Sequence, residues 1–130
     1  MSQATSPVIL IVDDHPRLRK ILEAQLVAAG YAVHLAEGGR EALSQFAQVR
    51  PNLMVLDLNM PGMDGFQVLE TLYVRGFTEK VGIMVLTGRN EIADVKRAMR
   101  LGARDFMTKP LEADVFLTRI ERLLQAAPPR

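Results

Sequence analysis

Leu53-Met-Val-Leu-Asp-Leu-Asn-Met-Pro-Gly-Met-Asp-Gly65 holds a strand, a turn and a helix start in one short run. Leu53 to Leu56 are all apolar and Asp57 closes them, the pattern of a strand covered on both faces that ends in a polar group. Pro61 and Gly62 break the chain, and Asp64 stands where an N-cap would start the next helix. Outward from this stretch the alternation repeats: short apolar runs rich in β-branched residues exchange with longer stretches of helical periodicity. The predicted strands are Val8–Val12, Ala32–Ala36, Leu53–Asp57, Val81–Thr87 and Arg104–Thr108. About five successive βα units argue for a parallel sheet with helices on both faces, a three-layer doubly wound α/β fold.

The helical stretches carry their own signals. Leu18, Ile21, Leu22 and Leu26 form one stripe and Phe116, Leu117, Ile120, Leu123 and Leu124 another, and both are expected to lie on the sheet. Gly30 and Gly102 sit where helices would stop, because a left-handed C′ residue costs glycine least. The expected organisation is a flexible N-terminus over 1–7, one domain over 8–126, and a tail or the start of a linker over 127–130, where Pro128-Pro129 would suit a linker.

The chain has 130 residues, enough for one compact core and too few for two. Sixteen basic against 15 acidic residues give a net charge of +1, so no general electrostatic grip on nucleic acid is expected. Basic residues thicken over Arg89, Lys96, Arg97, Arg100 and Arg104, but Glu91, Asp94 and Asp105 are interleaved, which favours a solvated surface. The longest apolar run, Val8 to Val12, is too short to span a membrane, and Met1 to Pro7 lacks the features of a signal peptide. With no cysteine available for disulfides, a cytoplasmic location is expected.

In open parallel sheets, ligands bind beyond the carboxyl ends of the strands. The first strand ends in Asp13-Asp14, the third in Asp57, the fourth in Thr87, and the fifth is followed by Lys109-Pro110. If the strand order is 2-1-3-4-5, these ends lie side by side, and the second strand, ending in Ala36-Glu37, is the outer one. Carboxylates gathered there would repel by about 4 kcal/mol for a pair ~4 Å apart at an effective dielectric near 20. Mg²⁺ offers the required charge and takes oxygen ligands, and Lys109 supplies a second positive group. Asp57, central among them, is the candidate nucleophile towards phosphorus, with the Thr87 hydroxyl as a donor to a phosphoryl oxygen.

Ile11-Val-Asp-Asp14, Val55 to Gly65, Val85-Leu-Thr-Gly88 and Gly102 to Pro110 together resemble the four signature regions of the receiver domain of bacterial response regulators, a flavodoxin-like fold. The resemblance covers about residues 7 to 126 and implies a phosphorylation-dependent switch in a two-component phosphorelay. Position by position, Asp57 would be the phosphoacceptor, and Asp13, Asp14 and the backbone carbonyl of Asn59 would join it in holding Mg²⁺ or Mn²⁺. Thr87 and Lys109 would bind the phosphoryl group, Thr87 and Phe106 would be the switch pair, and Lys109-Pro110 would be a cis peptide. Asn59 and Arg89 would tune loss of the phosphoryl group.

The implied partners are a histidine kinase or histidine phosphotransfer protein, and an output domain or partner protein. A phosphorylation-dependent homodimer could use the face of helix 4, strand 5 and helix 5, with Lys96, Arg97, Asp105 and Arg119 as contacts. Direct nucleic-acid binding and membrane association are not expected, nor is a role as a metabolic enzyme: the domain would catalyse only its own phosphoryl transfer and loss. Phe106 replaces the tyrosine of many relatives, and Arg104 departs from the acidic residue common there in the DNA-binding winged-helix subfamily.

Blander readings exist for each residue. Asp13-Asp14 before Pro16 could be a helix N-cap, Asp57 a solvated strand end, Thr87 a turn residue, Lys109 a surface lysine and Phe106 plain core. His15 reads as an exposed loop residue, since Mg²⁺ avoids nitrogen, and His34 as solvent-facing on an edge strand. Haloacid-dehalogenase-type phosphatases also use a strand-end Asp with Mg²⁺, but their second carboxylate is a general acid, and here Asn59 fills that place. A receiver-like module without phosphorylation is opposed by the complete Asp13, Asp14, Asp57, Thr87 and Lys109 set, and a nucleotide-binding protein by the lack of a Gly-rich loop after the first strand.

Overall fold

A computed structural model of the chain describes residues 6–88 and 91–126. Arg89, the start of the N-terminal stretch (1–5) and the tail at 127–130 lie outside the described residues. The elements run β1 (Val8–Val12), α1 (Pro16–Ala28), β2 (Ala32–Ala36), α2 (Gly39–Val49), β3 (Leu53–Asp57), α3 (Gly65–Val74), a 3₁₀ turn (Phe77–Glu79), β4 (Gly82–Thr87), α4 (Ile92–Arg100), β5 (Asp105–Thr108) and α5 (Ala113–Gln125). All strands are parallel, in the order β2-β1-β3-β4-β5.

Alternation inside the apolar runs divides the core. Leu10, Val12, Met54, Leu56, Ile83 and Val85 face α2, α3 and α4, where they pack with Phe46, Leu69, Leu72 and Ala98. Ile9, Ile11, Leu53, Val55, Met84 and Leu86 face the other way, onto Leu22 and Leu26 of α1 and Phe116 and Ile120 of α5. Neither face shows in a polar-apolar alternation because both are buried, which is why these strands read as unbroken hydrophobic runs.

The helix stripes are narrower than their periodicity predicts. Leu22 and Leu26 are sealed, but Ile21 is 46% exposed, because only the i, i+4 pair of α1 points straight at the sheet. Leu117, Leu123 and Leu124 are likewise only half-buried at the margin of α5. Gly30 and Gly102 adopt φ of 100° and 95° just past α1 and α4, as their sequence positions predict. Asp64 caps α3 in a reciprocal box: its carboxylate accepts from the Gln67 amide, and the Gln67 side chain accepts from the Asp64 amide, both at 2.9 Å. The predicted strands lose Val81 and Arg104 at their starts, where the chain is still leaving the 3₁₀ turn and α4.

Phe116 is fully buried, so Phe116→Ala is expected to lower stability by about 3–5 kcal/mol in urea unfolding, whereas Ile21→Ala should cost less than about 1 kcal/mol.

Candidate functional site

The hydrogen-bond ladder continues past the carboxyl ends of the strands and fixes the residues that follow. The Asp13 amide donates to the Ala36 carbonyl at 3.2 Å, the Leu58 amide to Leu86 at 3.0 Å, and the Lys109 amide to Thr87 at 2.8 Å. Asp13, Asp57, Thr87 and Lys109 are therefore held by sheet geometry at one edge, where side-chain rotamers alone decide the remaining distances. The Lys109-Pro110 peptide is cis.

Lys109 Nζ lies 3.0 Å from Asp13 Oδ2 and 3.4 Å from Asp57 Oδ2, so one ammonium group serves two buried carboxylates. Asp13 and Asp57 are 0% and 1% exposed. The other oxygens of the pair are held by donors: Asp57 Oδ1 accepts from the Asn59 amide at 3.1 Å, and Asp13 Oδ1 from the His15 amide at 2.8 Å. Asp13 is not the N-cap of α1; His15 occupies that position without a side-chain cap bond, and Pro16 begins the helix. Arg19 of α1 donates to the Asp13 carbonyl at 2.7 Å, a contact no sequence signal announces.

Asn59 does more than its sequence position suggests. Besides its amide contact to Asp57, its side-chain Nδ2 donates to Thr87 Oγ1 at 3.1 Å, tying the ends of β3 and β4 together beside the carboxylate. Gly65, at the start of α3, is the other unforeseen constraint: a Cβ there would lie 2.3 Å from the Asp57 carbonyl oxygen and 2.6 Å from Leu58 Cα. Its amide donates to the Leu58 carbonyl at 3.1 Å, so the helix start seats directly against the backbone that carries Asp57.

His15, assigned by sequence to an exposed loop, is indeed 65% exposed in its side chain, yet its Nδ1 lies 3.1 Å from Asp13 Oδ1 and 3.3 Å from Asp14 Oδ1. One ligand atom from each of Asp13, Asp14, His15 and Asp57 falls within 4.8 Å of the others. His34 is exposed on β2, apart from this group.

Asp13 Oδ2, Asp14 Oδ1 and Asp57 Oδ2 are buried and receive no hydrogen bond among the described residues. Lys109 compensates the charge of two of them, at 3.0 and 3.4 Å. Three converging carboxylate oxygens that lack donors form a hard, all-oxygen set, which fits a divalent cation such as Mg²⁺.

Phe106 on β5 is half-buried and packs against the α2–α3–α4 side of the core. Of the residues predicted for the output face, Lys96 and Arg97 are exposed on α4, with the Arg97 guanidinium 4.1 Å above the Phe66 ring. Asp105 and Arg119 meet each other at 3.2 Å within the chain. Arg104 leaves the basic patch: its guanidinium donates to the carbonyls of Thr78, Glu79 and Ala126.

Comparison with known proteins agrees with this architecture. The family model described as the response regulator receiver domain matches residues 9–121. The chain is 38% identical over 121 residues to Response regulator MprA of Mycolicibacterium vanbaalenii, covering 93% of this chain and 52% of that protein. It is 39% identical over 117 residues to the probable transcriptional regulator ycf27 of Porphyridium aerugineum, covering 90% and 48%. The chain thus spans about half the length of these curated relatives. Among solved structures, chemotaxis protein CheY4 of Vibrio cholerae superposes with a TM-score of 0.85 at 28% identity, covering 91% of this chain and 98% of that one. A putative response regulator from Chloroflexus aurantiacus gives 0.85 at 31% identity, covering 92% and 98%.

Burial pushes the Asp57 carboxyl up from 3.8 to about 6; the Asn59 amide and Lys109 oppose the rise and Asp13 adds to it. The folded state therefore binds this proton more tightly than the unfolded chain, so metal-free protein loses stability as pH rises from about 4 through about 6. Asp57→Asn should stabilise the protein in EDTA at neutral pH by an amount of order 2 kcal/mol, and the gain should vanish near pH 4. Urea unfolding at the two pH values checks this; an equal gain at both would contradict it.

Proposed function

The chain belongs to the response regulator receiver family, and from that premise we propose that its acidic pocket receives a phosphoryl group on Asp57. The family role is a phosphorylation-dependent switch in two-component signalling. The observation that carries the assignment of residues is the convergence of Asp13, Asp14 and Asp57 on one side of Lys109, with an oxygen of Asp57 left without a hydrogen-bond donor.

An Asp57 carboxylate oxygen attacks phosphorus, an acyl phosphate bond forms, and the P–N bond of a donor phosphohistidine breaks with its electron pair left on the imidazole. Asp13, Asp14, Asp57 and the Asn59 carbonyl would hold Mg²⁺, or Mn²⁺ in its place. When bound, the ion neutralises carboxylate charge and the charge developing on the phosphoryl oxygens. Lys109 already faces Asp57 and supplies a positive point charge to a phosphoryl oxygen. Thr87 exchanges its contact with Asn59 for one with the phosphoryl group, and Phe106 repacks as Thr87 moves.

Loss of the phosphoryl group, tuned by Asn59 and Arg89, is the domain's own reaction. The switched face is that of α4, β5 and α5, where Lys96, Arg97, Asp105 and Arg119 offer contacts to an output element or to a second copy of the chain. Asp105 and Arg119 already pair with each other at 3.2 Å, so a partner would share or compete for these groups. The greater length of the curated relatives supports an output element outside a receiver unit at 8–126. The kinase or phosphotransfer partner and a cytoplasmic site of action follow from the family role; no described helix is long and apolar enough to cross a membrane.

Incubation with acetyl phosphate and Mg²⁺ should add the mass of one phosphoryl group, and Asp57→Asn should abolish the adduct; an unchanged adduct in the variant would place the chemistry elsewhere. Thr87→Ala should still accept the group but show little of the amide chemical-shift change in α4, β5 and α5 that phosphorylation produces in the parent.

A further inference from the structure

The imidazole of His15 stands in the acidic pocket without a part in phosphoryl acceptance. We propose that His15 is a fourth metal donor, so that the pocket takes Mg²⁺ through oxygen alone but Zn²⁺ or Co²⁺ through its carboxylates and the His15 Nδ1 together. This rests on the reading of the pocket as a divalent-cation site.

Two observations support it. The first is spacing. Ligand atoms ~2.1 Å from one ion lie about 3.0 Å apart at an octahedral edge and about 3.4 Å apart in a tetrahedron. His15 Nδ1 is 3.1 Å from Asp13 Oδ1, a hydrogen-bond contact, and 3.3 Å from Asp14 Oδ1, so the ring stands within the separation of neighbouring ligands and would exchange that hydrogen bond for a bond to the ion. The second is the state of the acidic groups themselves. Asp13 and Asp57, 0% and 1% exposed, each keep an Oδ2 that receives no hydrogen bond among the described residues and has the Lys109 ammonium beside it, at 3.0 and 3.4 Å, and one ligand atom from each of the four residues fits within 4.8 Å.

Chemistry then separates the cations. Mg²⁺ is hard and keeps water in preference to imidazole, so the ring leaves its affinity nearly untouched. Zn²⁺ and Co²⁺ are borderline ions for which imidazole is a good ligand, and the ring adds to their binding. The position of His15 at the N-cap of α1, immediately after the acidic pair, keeps its backbone fixed by the same bond that orients Asp13. The plain alternative is that the ring only hydrogen-bonds Asp13 and steadies it.

The chain suits a clean test because it has no cysteine and only two histidines, the second being the exposed His34. Calorimetric titration of the untagged chain with Mg²⁺, Zn²⁺ and Co²⁺ is compared across the parent, His15→Ala, His34→Ala and Asp57→Asn. His15→Ala should bind Zn²⁺ and Co²⁺ at least about tenfold more weakly while its Mg²⁺ affinity stays within about twofold, and His34→Ala should match the parent. In the parent, Co²⁺ should also shift the His15 ring protons paramagnetically and leave those of His34 in place. Equal loss of all three ions in His15→Ala would mean that the ring merely orders Asp13, and unchanged Zn²⁺ binding would remove it from the coordination sphere; either overturns the inference while leaving the cation site standing. Failure of the parent to bind Mg²⁺, or binding indifferent to Asp57→Asn, would instead overturn the reading of the pocket on which the inference rests.

Discussion

One ammonium group shared between two buried carboxylates is the constraint on which the rest of the site depends. Lys109 stands within 3.4 Å of both Asp13 and Asp57, and Asp14 lies alongside. Burying an ionised carboxylate without full compensation is costly, and folding normally avoids it. Here the cost is retained, as the raised proton affinity of Asp57 shows. A pocket in which three buried carboxylate oxygens receive no hydrogen bond among the described residues fits a divalent cation.

The sheet makes this arrangement rigid. Strands β1, β3 and β4 are sealed on both faces by separate core clusters, so their carboxyl ends cannot shift without disturbing both layers. The ladder bonds at Asp13, Leu58 and Lys109 extend that rigidity one residue past each strand, into the loops that bear the chemistry. Gly65 adds a steric condition from the other side, since α3 can begin so close to Asp57 only where no Cβ intervenes.

The Thr87 hydroxyl accepts a hydrogen bond from the Asn59 side-chain amide, and Phe106 is half-buried at the margin of the core. Phe106 follows Asp105 on β5, and Asp105 pairs with Arg119 of α5. On the α1 side, Arg19 donates to the Asp13 carbonyl and ties that helix to the end of β1.

The order of elements and the placement of Asp13, Asp14, Asp57, Thr87 and Lys109 at the carboxyl ends of the strands were legible in the sequence, because unbroken apolar runs and helix-stop glycines are local signals and the strand-end residues follow from them. Local signals could not place His15 among the carboxylates, give Asn59 its bridge to Thr87, bring Arg19 to Asp13, or show that Gly65 abuts Asp57. Nor could they show that Ile21 belongs to solvent rather than core. Each of these depends on distances between segments far apart in the chain or on the direction a side chain takes from its helix, and such distances exist only once strands from separate parts of the sequence are hydrogen-bonded side by side. The sequence chose the groups; the packed sheet set how closely they stand, and with that the charge imbalance from which the chemistry follows.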